Sequence, residues 1–273
     1  MERRAGAHHP RLKWLRSLQK KRRRQEAGVL VLEGVRLVEE GLRAGCPITL
    51  AVWSPRLLTS ERGARLLEEL RQRAEELLWV EDALLERLSD TETPQGILAV
   101  TVRPEQRWEE LMAGSPSALL AVDALQDPGN VGTLIRTALA AGLDGVVLGR
   151  GCADAANPKV VRSTMGALFH LPVVQGVDLP PFLAVCRERG MSVLGGDPRA
   201  EVLFTEADYR GPTVLVVGNE ARGLGEPVAR LLTAAVRIPL RPGVESLNAA
   251  VAGALLMYEW WRQRGFASPG KSV

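Results

Sequence analysis

The hydrophobic pattern of the first hundred residues predicts a small α/β unit over residues 28–103. In "VLVLEGVRLVEEGLRAG" a buried strand is followed by a helix that has Val35, Val38 and Leu42 on one face. The remaining elements predicted here are a strand over 48–54, a helix over about 61–78, a short helix after "LLWVED" and a strand over 91–102.

Residues 117–265 show a different pattern, in which short apolar runs alternate with segments of helical period. The run ends in a long apolar helix from about Ser246 to Arg262. Such alternation predicts an α/β domain whose sheet is mostly parallel. The other predicted segments are a basic leader at 1–27, a linker rich in Gly, Pro and Ser at 104–116, and a tail at 266–273.

Composition narrows the class of protein. The 273 residues are 46% hydrophobic and 25% charged, which is ordinary for a globular protein. Cys46, Cys152 and Cys186 form no CxxC pair, so neither a disulfide framework nor a metal site is expected. No stretch reaches the roughly 18–20 apolar residues of a membrane span. We therefore expect a cytoplasmic protein with no membrane association and no metal.

Net charge is only +3, but the charge is concentrated in "RLKWLRSLQKKRRR" (11–24), which holds eight cations and no acid. Leu12, Leu15 and Leu18 recur three apart, so a basic helix with one apolar stripe is predicted. This density of cations suits a phosphate-rich partner, and the alternative is a solvated tail or a nuclear-localisation look-alike. The expected RNA contacts here are Lys20, Lys21, Arg22, Arg23 and Arg24.

The loop "DALQDPGNVGTLIRTALAAG" follows a predicted strand. Asn130 is expected to cap a helix that begins at Val131, and Arg136 follows on its first turns. A helix start with an arginine is a plausible seat for phosphate, although a capped helix bearing a solvated arginine would have the same sequence.

Two further loops follow later strands. In "VLVVGNEARGLGEPV" a buried strand is followed by Gly218, Asn219, Glu220 and Arg222, which alone could be a surface turn. In "IPLRPGVESLNAAVAG", Ser246 could cap the last helix, but a cap leaves Asn248 unexplained. Because ligands bind beyond the carboxyl ends of parallel strands, we expect the three loops to converge there.

Together these segments resemble the three motifs of SpoU-type ribose 2′-O-methyltransferases, the TrmH branch of the SPOUT class. The N-terminal "VLEGVRLVEE" and "TETPQGILAV" resemble that family's RNA-binding domain. The resemblance implies S-adenosylmethionine as cofactor, a deep trefoil knot, and a homodimer with the active site near the subunit interface. The catalytic residues it implies are Asn130, Arg136, Glu220, Ser246 and Asn248. The cofactor-binding residues it implies are Gly218, Asn219, Ile238, Leu240, Leu247 and Asn248.

The reaction implied is methyl transfer to a ribose 2′-hydroxyl of RNA. A guanidinium is not deprotonated in proteins, so we expect Arg136 to bind phosphate and polarise the hydroxyl. Glu220 could hold Arg136 or take the proton, and Arg222 is a further candidate phosphate contact.

The N-terminal domain and the basic leader favour 23S ribosomal RNA over tRNA. Two other classes stay open at this point. One is a silent RNA-binding or ribosome-assembly protein on the same scaffold. The other is a dinucleotide enzyme, although "DPGNVGT" lacks the G-x-G-x-x-G spacing such an enzyme needs.

Overall fold

The computed structural model describes residues 2–104 and 106–266. The strands are β1 (Glu2–Arg4), β2 (Val29–Glu33), β3 (Ile48–Trp53), β4 (Leu77–Trp79), β5 (Ile97–Val102), β6 (Ala118–Val122), β7 (Gly145–Gly149), β8 (Val173–Val177), β9 (Ser192–Gly196), β10 (Val202–Leu203), β11 (Thr213–Val217) and β12 (Ala234–Arg237). The α-helices are α1 (Pro10–Ser17), α2 (Lys21–Ala27), α3 (Val35–Arg43), α4 (Glu61–Arg73), α5 (Asp82–Leu88), α6 (Trp108–Ala113), α7 (Pro128–Ala140), α8 (Pro158–Ser163), α9 (Leu179–Glu188), α10 (Glu226–Ala229) and α11 (Ala249–Gln263).

The chain forms two compact units that do not follow the predicted boundaries. The first unit holds residues 2–104 together with Ala156–Phe169, and the second holds residues 106–155 and 170–266. The segment 156–169, expected inside a continuous 117–265 domain, contributes Ala156 and Val161 to the core around Leu32 and Val38. It also does not form one helix, because Met165 and Gly166 have φ of 51° and 93° after α8 ends.

In the first unit the sheet has the order β1-β4-β3-β5-β2. Strands β1, β4 and β3 are parallel, and β5 is antiparallel to β3 and β2. The helix expected over 61–78 ends at Arg73, because Leu77–Trp79 pair with β3 as a strand. The apolar residues at 77–79 therefore belong to a strand of the sheet and do not extend the helix.

The segment 1–27 was expected to be a separate leader, but its described residues 2–27 belong to this unit. The predicted apolar stripe is present: Leu12, Leu15 and Leu18 are buried, in one core with Leu50 and Leu98. Burying three leucines stabilises a segment by several kcal/mol, at about 1.5–3 kcal/mol each, which is enough to fold so charged a stretch onto the sheet.

The second unit contains the predicted parallel sheet, in the order β10-β12-β9-β11-β6-β7-β8. Every residue of β6 and β11 is buried, as their uninterrupted apolar runs require. The α/β fold class is thus confirmed, whereas the trefoil knot is a matter of chain threading and stays a prediction.

The segments flanking this sheet differ from expectation. The predicted linker contains α6, whose Met112 is buried in the core of the second unit. Of the predicted tail, residues 267–273 lie outside the described residues. No helix in the described part of the chain is long and apolar enough to cross a membrane.

Candidate active site

The predicted site residues are carried by loops of the second unit. Residues 123–127 follow β6, residues 218–225 follow β11, and residues 238–248 follow β12. β6 lies beside β11, and β9 lies between β11 and β12. Because these strands are parallel, their loops emerge at one edge of the sheet, where ligands bind in such folds.

The first loop enters α7 through Asp127, so the prediction that Asn130 caps this helix is wrong. The Asp127 side chain accepts a hydrogen bond from the Asn130 backbone N–H at 2.7 Å, and Pro128 occupies the first helical position. An acidic cap followed by proline is a stronger start signal than an asparagine three residues later. The side chain of Asn130 is consequently available for other contacts.

Asn130 connects the other two loops. Its Nδ2 donates to Glu220 Oε1 at 3.3 Å, and its Oδ1 accepts from Asn248 Nδ2 at 2.9 Å. Glu220 is 90 positions away in sequence and Asn248 is 118 positions away. The three predicted motifs therefore meet in one hydrogen-bonded chain, Glu220–Asn130–Asn248.

The direction of this chain is fixed at both ends. Asn248 Oδ1 accepts from the backbone N–H groups of Ala250 at 2.9 Å and Val251 at 3.2 Å, which leaves its Nδ2 to donate to Asn130. The ionised carboxylate at the other end only accepts. Asn248 is therefore the cap of α11, and the alternative that Ser246 caps this helix is wrong because the helix begins only at Ala249.

Glu220 holds the first loop in place. Besides Asn130 it accepts from the backbone N–H groups of Asp127 at 3.1 Å and Gln126 at 3.5 Å. Partial burial acts to raise the pKa of Glu220, but these hydrogen bonds act the other way and leave that pKa lowered. The carboxylate is thus ionised near neutral pH, and its lowered pKa makes it a weak base, which suits a hydrogen-bond acceptor better than a general base.

The loop after β11 is closed by its own backbone and by Asn219. Asn219 and Gly223 exchange backbone hydrogen bonds, and a Cβ at Gly218 would lie 2.4 Å from the Gly223 carbonyl carbon. Asn219 Nδ2 also donates to the carbonyl oxygen of Ala124 at 2.8 Å, where φ is +52°. Gly218 is therefore required for close approach of backbone, and Asn219 stabilises a left-handed residue in the neighbouring loop.

Sequence reasoning missed Asp123, whose Oδ2 accepts from the Gly225 N–H at 2.8 Å. The loops after β6 and β11 thus bind each other in both directions, through Asp123 on one side and Glu220 on the other. Asp127 had a readable signal in the Asp-Pro pair, whereas a single aspartate after a strand gives none.

A cavity of about 610 Å³ opens beside these loops. All the predicted cofactor-binding residues except Asn248 line it: Gly218, Asn219, Ile238, Leu240 and Leu247. Three other predicted site residues, Glu220, Arg222 and Ser246, also line it. Its size lies within the roughly 300–1,000 Å³ of small-molecule sites. The wall combines aliphatic side chains with glycine backbone, which fits a flat heterocycle bound through main-chain groups. Sequence reasoning missed the side of the wall that follows β9, which contains Asp197 and Arg199.

Arg136 stands apart from this cluster. It is exposed on α7, and the described residues offer its guanidinium no hydrogen bond or ion pair. Six residues along a helix amount to a turn of about 240° beyond one full turn, so Arg136 and Asn130 lie on different faces of α7. Arg136 is also not among the residues that line the cavity. The expected contact between Arg136 and Glu220 is absent from the described residues.

The comparisons with known proteins agree with this geometry. A model of the SpoU rRNA Methylase family matches residues 117–258. The chain belongs to the SpoU rRNA methylase family. The match covers all three loops of the active-site cluster, and the MRM3-like substrate binding domain matches residues 9–99. The resemblance seen in the sequence is therefore confirmed.

Individual SpoU-family relatives match over almost the whole chain. The 23S rRNA (guanosine(2553)-2′-O)-methyltransferase RlmP of Bacillus subtilis is 36% identical over 93% of this chain and 96% of its own length. A Synechocystis protein known as an uncharacterized tRNA/rRNA methyltransferase is 36% identical over 97% and 96%. The crystal structure of the SpoU methyltransferase AviRb from Streptomyces viridochromogenes in complex with AdoMet has a TM-score of 0.84 at 28% identity and covers 94% of this chain and 98% of AviRb.

The substrate-binding unit of this SpoU-family protein contains the basic segment 11–24, and its cations differ in what they contact. Arg24 is buried and donates to the carbonyl oxygens of Leu18 and Gln19, both at 2.8 Å, so its prediction as an RNA contact is wrong. Arg22 and Arg23 form ion pairs with Glu26. The cations that are exposed and make no side-chain bond to a described residue are Lys13, Arg16, Lys20 and Lys21.

Proposed function

We propose that this SpoU-family protein transfers a methyl group from S-adenosylmethionine to a ribose 2′-hydroxyl of 23S ribosomal RNA. The observation that carries the proposal is the hydrogen-bonded chain Glu220–Asn130–Asn248 beside a cavity that Glu220 itself lines. Support for the substrate class comes from RlmP, a relative whose name assigns it to 23S rRNA.

The residues of the cavity suit the cofactor. Bound S-adenosylmethionine supplies a methyl group on a positively charged sulfur. Ile238, Leu240 and Leu247 offer apolar surface, and the backbone beside Gly218 is accessible to a ligand's polar edges. The apolar surface that these three side chains offer does not oppose a reaction in which positive charge disperses.

We assign the orientation of the target RNA to asparagine side chains, and the binding of its phosphates to arginines. The Asn130 amide is held at both its oxygen and its nitrogen, so it presents a fixed dipole at the edge of the site. Arg136 stays a cation, binds a phosphate of the target and polarises the hydroxyl. Arg222, exposed on the cavity wall, is a second phosphate contact. Ser246, also exposed there, orients the sugar.

We further propose a homodimer. Val251, Leu255 and Tyr258 are exposed and recur four and three residues apart on α11, so they form one apolar stripe on that helix. The opposite face of α11 is buried through Leu256 and Trp260. Arg136 lies on α7, which packs against α11, so a second copy that covers the stripe would bind next to the helix that carries Arg136. A monomeric mass in sedimentation equilibrium would contradict this assignment.

Ribosomal RNA in the cytoplasm is the proposed substrate pool, and the three free cysteines suit a reducing compartment. The experiment is methyl transfer from labelled cofactor to 23S rRNA transcribed in vitro, with tRNA as the comparison. We expect labelled 23S rRNA, and no label when the target nucleotide is replaced by its 2′-deoxy form. Label that survives deoxy substitution would identify a base methyltransferase, and cofactor binding without transfer to either RNA would favour the silent scaffold.

A further inference from the structure

The second unit contains the same small motif at two places. In Asp197-Pro198-Arg199, Asp197 Oδ1 accepts from the Arg199 backbone N–H at 2.8 Å and from its Nε at 3.2 Å, and Oδ2 accepts from Nη2 at 3.2 Å. Asp208-Tyr209-Arg210 repeats this pattern at 3.0, 2.9 and 2.9 Å. Both arginine side chains are well exposed, at 88% and 76%. The motif is therefore a local turn, and its surroundings decide what else it can do.

The two copies differ in where they lie. Asp197 and Arg199 line the cavity, on the side that follows β9, whereas Asp208 and Arg210 do not line it. In the sheet, β11 separates β9 from β6, the strand that leads to Asn130. Arg199 is thus a cation on the cavity wall, on the other side of β11 from the strand whose loop carries Asn130.

Arg199 can bind a second anion in addition to the Asp197 carboxylate. A guanidinium has five N–H donors, and Asp197 uses Nε and one hydrogen of Nη2. The remaining donors form an edge that no described residue occupies, and this edge matches a carboxylate in two-pronged geometry. A ligand carboxylate can therefore bind without breaking the existing pair, and Asp197 has already restricted the rotamers of the arginine.

Resting on the proposed function, we propose that Arg199, held by Asp197, binds the α-carboxylate of the cofactor's methionine moiety. The adenosine part of the cofactor carries no anionic group, so the carboxylate is the group that calls for a cation. Of the two arginines on the cavity wall, Arg222 lies on the loop of Glu220 and makes no side-chain bond to a described residue. Arg199 is the one that is already oriented.

Isothermal titration calorimetry with two ligands tests this assignment. 5′-Methylthioadenosine keeps the adenosine and the methylated sulfur, here a neutral thioether instead of a sulfonium, but lacks the amino-acid portion. For Arg199→Gln we expect S-adenosylmethionine to bind about tenfold more weakly, the value of one exposed charge-assisted contact, and methylthioadenosine to bind as it does to the wild type. The matched control is Arg210→Gln, which removes the same charge from the same local turn and should change neither affinity.

The remaining outcomes are equally decisive. An equal loss for both ligands would place Arg199 at the adenosine and overturn the proposal, as would an unchanged affinity for S-adenosylmethionine. A loss of the same size in Arg210→Gln would reduce the effect to net charge and also overturn it. Wild-type protein that binds neither ligand would instead refute the proposed cofactor, so the two failures are distinguishable.

Discussion

The active-site loops of the second unit and the basic segment of the first unit were both recognised by residue type, but they differ in how far residue type determined their contacts. In the loops, Asn130, Glu220 and Asn248 bind one another across the chain. In the basic segment, neighbours within six positions occupy Arg22, Arg23 and Arg24. A polar residue is therefore available for a ligand only if its own bonds to the protein leave donors or acceptors unused.

The largest loss of rate is expected at Arg136, the predicted catalytic residue whose side chain makes no bond to a described residue. Arg136→Ala should lower the single-turnover rate of methyl transfer by about 10²–10³-fold, the usual loss when a charge-stabilising group is removed from a reacting centre. Cofactor affinity measured by calorimetry should not change, because Arg136 does not line the cavity. Thermal stability should also be unchanged, because the side chain is exposed.

The control for this variant is Arg187→Ala on α9, another exposed arginine that makes no side-chain bond to a described residue. It should transfer methyl groups at the wild-type rate. An Arg136→Ala enzyme of normal rate would remove the residue from the mechanism, and an equal loss in both variants would mean that net charge alone matters.

A smaller effect, on RNA affinity, is expected to distinguish two pairs of cations in the basic segment. Lys13→Gln/Arg16→Gln should weaken RNA binding by about tenfold at moderate salt and reduce the slope of log K against log salt by about two, since two phosphate contacts are lost. Arg22→Gln/Arg23→Gln removes the same charge from arginines already paired with Glu26, so its loss should be clearly smaller. Fluorescence anisotropy across a salt series measures both. Equal slopes for the two pairs would show that RNA responds to total charge and not to the unpaired side chains.

Much of the fold was readable from the sequence, because buried strands such as β6 and β11 appear as apolar runs. The segment 156–169 was not, since its apolar residues look the same whichever core they enter. No local pattern records that Ala156 and Val161 pack in the core of the sheet formed by β1 to β5.

The sequence predicted which residues form the site but not which of them hydrogen-bond to each other. Asn130 was expected to cap its own helix. Because Asp127 caps that helix instead, the Asn130 side chain can bind Glu220 and Asn248. Arg24 had the same residue type as its exposed neighbours, and only folding of the segment buries it. Residue type and spacing identified the loops, whereas the pairing of donors with acceptors depends on tertiary geometry.

The smallest expected effect is the sharpest test of how Glu220 works. Burial acts to raise its pKa, but hydrogen bonds from its own backbone and from Asp127, Asn130 and Gln126 outweigh that effect and leave the pKa lowered from 4.5. A lowered folded-state pKa means that the stabilisation is present above the unfolded value and is lost as the pH falls through the lower folded value. Glu220 therefore stays ionised from about pH 6 to 9, where it cannot shape the rate profile.

Glu220→Gln should accordingly lower the rate by a constant factor across that range, through weaker bonds to the first loop, while the pH–rate profile keeps the wild-type shape. Glu226→Gln, which removes a carboxylate paired with Arg230 in the same unit, is the control and should leave both rate and shape unchanged. If Glu220 accepted the hydroxyl proton, the variant would instead lose about 10²–10⁴-fold of the rate, the usual contribution of a general base. That outcome would contradict the rule that bonds to the protein make a polar residue unavailable to a ligand, because a carboxylate with several such bonds would still act on the substrate.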